Sequence, residues 1–583
     1  MPGPLDNVQL FRVDNLATLD ACRRWAGERR ETPLFADTES SGLSPHRDKM
    51  RMVQLGDMRA GWAFPPGWWG AAIEMLLGYR GLVGFHNSPY DQRVLKVHEG
   101  VMVGWERVED TLLLGHIADS LRLAGLKPRS AQEIDPRAIA AEQQMLEGMK
   151  ARHWTYADTP DSWAPYWMYA ALDPVLAAWL WWKFRPARTA YRQAYDLERA
   201  TARICTNMML AGMRIDIPYI KDRIADIGAS TSQAAGWLRG QYGIGNANSN
   251  NQVVAAMEKA EIPVTVFTEK GNPCLNKEAL NYYRLTYPEF EPLFNAIRWC
   301  RKGDSLINSY LGKFLTLASG DTLYYNIHSC RARTTRMSVT DPPMQTFDRD
   351  IPYVRGSFIP REGHVFVTID ADQIEARLTA HFANDPRMIA DFRYCDEHHL
   401  KFFIEMASRI YAERIAKSDP RYTMTKNATY GQIYGAGLAK AAVTAGVPVE
   451  IMRPAYEGLD QMYPNVRHYM NFLIRSAQGK RPKVQTIDGR YLYCYRGHEY
   501  ALLNTLIQAC AASILKQGII NLDAGGLGEF LRLPVHDEVI LEVPADMAQD
   551  VLHEAERILT DHTSFRVPIT WSGSILTERW IKQ

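Results

Sequence analysis

Two groups of carboxylates in this chain carry a spacing that could do chemistry. In TIDADQIEARL, residues 368–378, Asp370, Asp372 and Glu375 fall within six positions. TID reads as the end of a buried strand and QIEARL as the start of a helix, so three negative charges gather at one junction. Asp537 lies 167 positions after Asp370, at the joint of RLPVHDEVILEVP, which reads as two strands. If the fold brings Asp370 and Asp537 together, two Mg²⁺ ions between them would make a site for in-line attack on a triphosphate. Asp372 shares a face with Asp370 if the strand persists, or turns away as a helix cap ahead of Glu375.

A second group lies near the start. Asp37 and Glu39, in DTE, stand at i and i+2 on an apolar strand, so both side chains leave one face. Asp91 follows in HNSPYD. Tyr169 and Asp173 are four apart in YAALDP and share a face if helical. Pro174 leaves two readings: Asp173 caps a helix that starts there, or Pro174 kinks a continuous one. Oxygen donors without His or Cys suit hard cations, Mg²⁺ or Mn²⁺. Two such ions about 3.5–4 Å apart can activate a water for phosphodiester hydrolysis, and a phenol nearby could orient that water. Taken singly, a solvated strand end and a core tyrosine explain these residues as well.

A triphosphate site needs a cationic counterpart. RYTMTKNATYGQIYGAG (421–437) offers one, because Arg421, Lys426, Tyr430 and Tyr434 recur every four or five residues. They make a helical stripe with cations at one end, suited to phosphate oxygens, and rings at the other, suited to stacking beneath a base.

The elements that must position these groups follow from periodicity. Strand-like runs LFADTE, MVQLGD and LVGFHN alternate with helical stretches, which argues an α/β domain over roughly 1–185. Helical, basic sequence follows, and Gly212 can end a helix before AGMRID. Strands return in TLYYNIHS and HVFVTID, helices over 385–480, a hairpin around Asp488-Gly489, and a long helix near 498–519. With 583 residues the chain has room for several domains. A net charge of +1 gives no global pull toward nucleic acid, so a nucleic-acid function would need basic residues gathered locally. Eight scattered cysteines without a CxxC pair indicate neither a zinc ribbon nor a disulfide framework. The apolar stretch 166–184 carries Asp173-Pro174 at its centre, which argues a buried helix rather than a membrane span.

Together the motifs match known patterns. DTESSGL, NSPYD and YAALD resemble the three motifs of DEDD-Tyr 3′–5′ proofreading exonucleases. TIDADQIEAR, KNATYGQIYG and VHDE resemble motifs A, B and C of family A DNA polymerases, which include the large fragment of bacterial DNA polymerase I and many phage replicative enzymes. TTRMSVTDPPMQ, NTLIQACAAS, CDEHHLKFF, TIDGRYLY and AGMRID are similar to further segments of that family. The resemblance implies an α/β and α+β multidomain chain: an RNase H-like 3′–5′ exonuclease domain (1–185), then a right hand. Its thumb would span 186–320, its palm 321–390 and 500–583, and its fingers 391–499.

In the nuclease half the resemblance implies Asp37, Glu39, Asp91 and Asp173 as metal ligands and Tyr169 as the water-orienting residue. Leu43 and Asn87 would touch the terminal nucleotide. In the polymerase half it implies Asp370 and Asp537 as catalytic metal ligands, with Lys426 contacting the triphosphate and assisting pyrophosphate departure. Tyr434 would stack at the nascent pair, and Glu375 would bond to it and block a ribose 2′-hydroxyl. Gln373, His398, Arg421 and Tyr430 would complete the nucleotide site. Arg336, Gln345, Arg377, Asn504, Gln508 and His536 would line primer and template. Two Mg²⁺ per active site, with Mn²⁺ as a substitute, are the implied cofactors. Primer-template DNA, deoxynucleoside triphosphates and replication accessory proteins are the implied partners of a cytoplasmic monomer.

Some positions depart from the common pattern. Motif A reads Asp-Ala-Asp rather than Asp-Tyr-Ser, Tyr422 stands where an Arg is usual, and Pro343 stands where an Asn is usual. Tyr430 occupies a site that is Phe in many bacterial members; in the family, Tyr there goes with acceptance of 3′-deoxy terminators. Only some thirty residues precede the first nuclease motif, so no 5′-nuclease domain is expected and a phage-type setting is favoured. A nuclease with a non-catalytic, DNA-binding polymerase half is the competing reading, and a non-catalytic replication factor is a further one. The presence of Asp370, Glu375, Lys426, Tyr434 and Asp537 together disfavours both.

Overall fold

The computed structural model describes residues 3–28, 32–122, 124–268, 270–347, 352–477, 479 and 481–581. Its N-terminal unit is built on strands β1 (Gln9–Arg12), β2 (Leu34–Ser40), β3 (Met50–Gly56), β4 (Ala60–Phe64), β5 (Val83–Phe85) and β6 (Val108–Asp110). They form one sheet in the order β1-β4-β3-β2-β5-β6. The centre, β2 to β4, is an antiparallel meander, and β5 and β6 extend it in parallel. Helices α1 (Ser88–Glu99), α2 (Leu126–Glu133) and α3 (Ala164–Ala190) complete the site-bearing part of this unit.

Of the two readings of Pro174, the continuous helix holds. Pro174 and Pro186 both lie inside α3, which therefore runs past the expected boundary at 185. Its contact with the sheet is close enough to require a glycine: a Cβ on Gly61 of β4 would stand 1.8 Å from the Ala171 carbonyl oxygen. No helix among the described residues is long and apolar enough to cross a membrane.

Helix α4 (Arg192–Ala211) ends at Gly212, whose φ of 61° suits a residue without a Cβ. Then α5 (Ile217–Tyr242) and α6 (Glu291–Ser305) enclose their own apolar core around Leu238, Tyr283, Phe294 and Ile297. The apolar run HVFVTIDA becomes β7 (His364–Ala371), buried over Val365–Ile369. After it come α7 (Ile374–Ala383), α8 (Pro420–Ile433) and α9 (Leu502–Leu522). Strands β8 (Leu531–Val535), β9 (Glu538–Pro544) and β10 (Trp571–Leu576) complete an antiparallel sheet in the order β8-β9-β7-β10. The helices between α7 and α9 pack around a separate core that includes Phe392, Phe402, Met406 and Leu459.

One buried ionic network ties distant segments together. Glu198 of α4 pairs with Lys516 of α9 at 2.6 Å and with Arg490 at 2.8 Å, and Arg490 also pairs with Asp488 at 2.8 Å. Each of these charges has an opposite partner, which is the condition for burying them at all.

Candidate active sites

The first acidic site forms where β2, α1 and α3 meet. Alternation along β2 sends Asp37 and Glu39 to the same side, and α3 brings Asp173 to them. Carboxylate oxygens of these three residues lie within 4.8 Å of one another. Asp91, in the first turn of α1, is buried beside them and accepts a hydrogen bond from Thr38 Oγ1 at 2.8 Å. Burial, then mutual repulsion, raises the Asp37 pKa well above the carboxylate range. Burial, led by the same cause, pushes Glu39 and Asp91 up to about 8 and Asp173 up to about 6. Oxygen donors this crowded and this reluctant to ionise alone fit a hard divalent cation.

Tyr169 is buried one turn before Asp173 on α3. Asn87 adopts a left-handed conformation, φ 74°, just ahead of α1, and Leu43 is exposed near the cluster's strand end. Lys127 was not legible in the sequence: its ammonium pairs with Asp173 Oδ2 and lies 3.9 Å from the centre of the Tyr169 ring. It sits in no recognised motif, and only burial in the folded chain singles it out.

The second site lies on the β7-β8-β9 sheet. Asp370, near the end of β7, is in register with Glu538 of β9 and with Ser572 of β10. The two-residue turn His536-Asp537 joins β8 to β9, with His536 at φ 56° as tight hairpins require. The Ala371 N–H donates to the Asp537 carbonyl at 3.1 Å, which fixes the turn against β7. Asp370 and Asp537 thereby share the walls of one open cleft of about 460 Å³ with Gln373, Glu375, Lys426, Tyr430, Tyr434, Arg336 and His536. Both aspartates, after burial and Glu375, contribute to raising the Tyr430 pKa.

The three acids of the opening motif separate by their partners. Glu375, 5% exposed, accepts a hydrogen bond from Tyr434 Oη at 2.8 Å and pairs with Arg336. Asp372 turns to β10: its carboxylate accepts from Thr570 Oγ1 at 3.0 Å and Ser572 Oγ at 2.8 Å, and its N–H donates to the Thr570 carbonyl. These bonds tie the strand–helix junction to β10 at the wall of the cleft, which Asp372 also lines. Gln373, between the two, is left-handed with φ 53°.

Other candidates fall in and out of this cleft. Gln345 Nε2 donates to the Pro534 carbonyl at 3.1 Å, close to the catalytic turn. Asn504 and Gln508 share the half-buried face of α9. One expectation is corrected. Arg377 is 3% exposed and grips Asp396 with both terminal nitrogens, at 2.7 and 2.6 Å, while donating to the Asp372 and Pro568 carbonyls. It is a core residue, not one that lines DNA. Arg421 pairs with Asp419 and Glu413, each at 2.7 Å, and stays partly exposed. His398 stacks on Tyr394 with centroids 4.1 Å apart and is not among the residues lining the cleft.

Comparison with known proteins accords with this geometry. The profile of DNA polymerase family A matches residues 220–581, well over half of the chain. The chain belongs to DNA polymerase family A. It is a DNA-directed DNA polymerase, and its catalytic half is the one matched. The polymerase is 27% identical to the DNA polymerase of Mycobacterium phage D29, across 95% of this chain and 94% of that one. It is 25% identical to the thermostable DNA polymerase I of Thermus thermophilus, across 64% of this chain but only 46% of that protein. The polymerase thus aligns with about half the length of that bacterial relative. Among solved structures, the polymerase domain of Pol1 from M. smegmatis, in complex with DNA primer-template and dNTP, has the same fold. The TM-score is 0.78, covering 98% of this chain and 99% of that one, at 20% identity.

Proposed function

We propose that this polymerase extends a primer 3′ end with deoxynucleotides at the Asp370–Asp537 cleft and removes mispaired ends at the Asp37–Glu39–Asp91–Asp173 site. The convergence of Asp370, Asp537, Lys426 and Glu375 on one cleft carries the first assignment. The three carboxylates within 4.8 Å carry the second. Bound Mg²⁺ or Mn²⁺ would supply charge neutralisation and Lewis-acid activation at both places, held by Asp370 and Asp537 in one and by the four nuclease carboxylates in the other.

The chain's own side chains do the rest. Lys426 offers its cation to the triphosphate and to the departing pyrophosphate. Tyr434 and Tyr430, with ring centroids 6.0 Å apart, form the floor under the incoming base. Glu375 fills the space a 2′-hydroxyl would need. In the nuclease site the Tyr169 hydroxyl orients the attacking water. The sheet order of the N-terminal unit and the position of its acids support an RNase H-like nuclease. The likeness to a phage polymerase along nearly the whole chain supports a phage replicative enzyme working as a monomer in the host cytoplasm.

A primer-extension assay tests the pair of assignments. With Mg²⁺, primed template and dNTPs, the wild-type protein should lengthen the primer. Asp537→Ala should abolish extension and keep 3′–5′ shortening, and Asp37→Ala should do the reverse. Wild-type protein that only shortens the primer would leave the nuclease reading alone standing.

A further inference from the structure

Lys127 is a buried ammonium in the middle of an acidic site, supplied by an element that carries no other part of that site. It is the second residue of α2 and only 7% exposed. It meets two residues one helical turn apart on α3: the Asp173 carboxylate, through Oδ2, and the face of the Tyr169 ring at 3.9 Å. The Asp173 Oδ1 atom is buried and has no hydrogen-bond partner. Lys127 thus occupies one oxygen of a metal-ligand candidate and leaves the other for the site.

Resting on the exonuclease reading above, we propose that Lys127 is a positioning residue that aims Asp173 and Tyr169 and sets the charge of the site they face. Asp37, Glu39, Asp91 and Asp173 can bring four negative charges, and the ammonium reduces them to three, which lowers the demand for divalent ions at the site. A cation bridging the carboxylate and the ring restricts both side chains, because each loses its attraction if it rotates away. The same positive charge, close by in a buried region, weakens the hold on any further cation. Lys127 therefore trades metal affinity for geometry. A residue that merely filled space would do neither.

The test compares wild type, Lys127→Met and Lys127→Gln in two measurements. Mn²⁺ binding is followed by electron paramagnetic resonance in an Asp537→Ala background, with Asp37→Ala as the reference lacking a nuclease ligand. Hydrolysis of a single-stranded 3′ end is timed with Asp537 intact, where primer extension by the same preparation reports folding. Lys127→Met should bind Mn²⁺ at least about fivefold more tightly and yet hydrolyse at least about tenfold more slowly. Lys127→Gln, which keeps a donor for Asp173 without the charge, should bind as tightly and regain part of the rate. Variants that hydrolyse at the wild-type rate, or that bind Mn²⁺ no more tightly, overturn this inference alone. Wild-type protein that neither binds Mn²⁺ through Asp37 nor shortens a primer overturns the exonuclease reading together with it.

Discussion

At the scale of single residues, partners decide role. Glu375 is held from both sides, by Tyr434 Oη and by Arg336, so its carboxylate is fixed in the cleft, where the proposed role is to obstruct a ribose 2′-hydroxyl. Glu375→Ala removes that obstruction. The preference for dNTP over rNTP, read as a ratio of kcat/KM, should fall at least about tenfold, or about 1.4 kcal/mol; an unchanged ratio would remove Glu375 from sugar selection. Arg377 illustrates the opposite case. Its guanidinium is consumed by Asp396 and two carbonyls, so Arg377→Ala should cost about 2–3 kcal/mol of stability in denaturant melts. The affinity for primer-template should hardly change. A large loss of DNA affinity at unaltered stability would restore Arg377 to the DNA interface.

At the scale of elements, short approaches transmit position. Helix α3 carries Tyr169 and Asp173 and reaches the sheet at Gly61, where the Ala171 carbonyl occupies the space of a Cβ. Gly61→Ala must push the helix away from β4, at about 1–3 kcal/mol for the overpacking. The displacement falls within one turn of both functional residues. Exonuclease rate should drop by more than about tenfold while primer extension by the same protein persists. Equal loss of both activities would mean the substitution unfolds the chain rather than shifting α3. In the palm, the hydrogen bond from Ala371 to the Asp537 carbonyl has the corresponding function, setting the turn of one hairpin against the end of another strand.

At the scale of the whole molecule, the N-terminal unit meets the polymerase half at buried histidines. His116 Nε2 meets the Ala332 carbonyl at 3.0 Å and His46 stacks on Tyr324 with centroids 3.5 Å apart across the junction, while His328 meets Thr340 Oγ1 at 2.9 Å on the polymerase side. Arg93 reaches across to Asn326 at 2.7 Å. Burial, reinforced by nearby arginines, pushes all three histidines down to about 4. Their folded pKa lies below the unfolded one, so the unfolded chain binds protons first as pH falls. The stability they contribute is complete above about pH 6.5 and is lost progressively toward pH 4. The raised carboxylates of the acidic site titrate with the opposite sign over the same range, so the histidine contribution is read by difference in scanning calorimetry: the melting temperature of His116→Gln should rise relative to wild type as pH falls from 7 to 5. A difference between the two proteins that does not change with pH would show that His116 is charged or solvated in the folded chain.

The sequence by itself determined the chemistry available: the carboxylate pairs, the basic and aromatic stripe of 421–434, and the motif order that implied two catalytic halves. These were legible because each rests on local spacing, two residues on a strand or four on a helix. What local spacing could not convey was which side chains share an environment. Asp370, Asp372 and Glu375 were equivalent on paper; all three line the cleft, and only the register of β7 with β9 and β10 ties the Asp372 carboxylate to Thr570 and Ser572. Arg377 looked available because its counter-charge, Asp396, is not in helical register with it. Pro174 stayed ambiguous until packing on Gly61 held α3 continuous. Lys127 was invisible, because a lysine acquires meaning only when folding buries it against charges 46 and 88 positions away. Electrostatic roles follow from distance through space, and that is the quantity tertiary structure alone supplies.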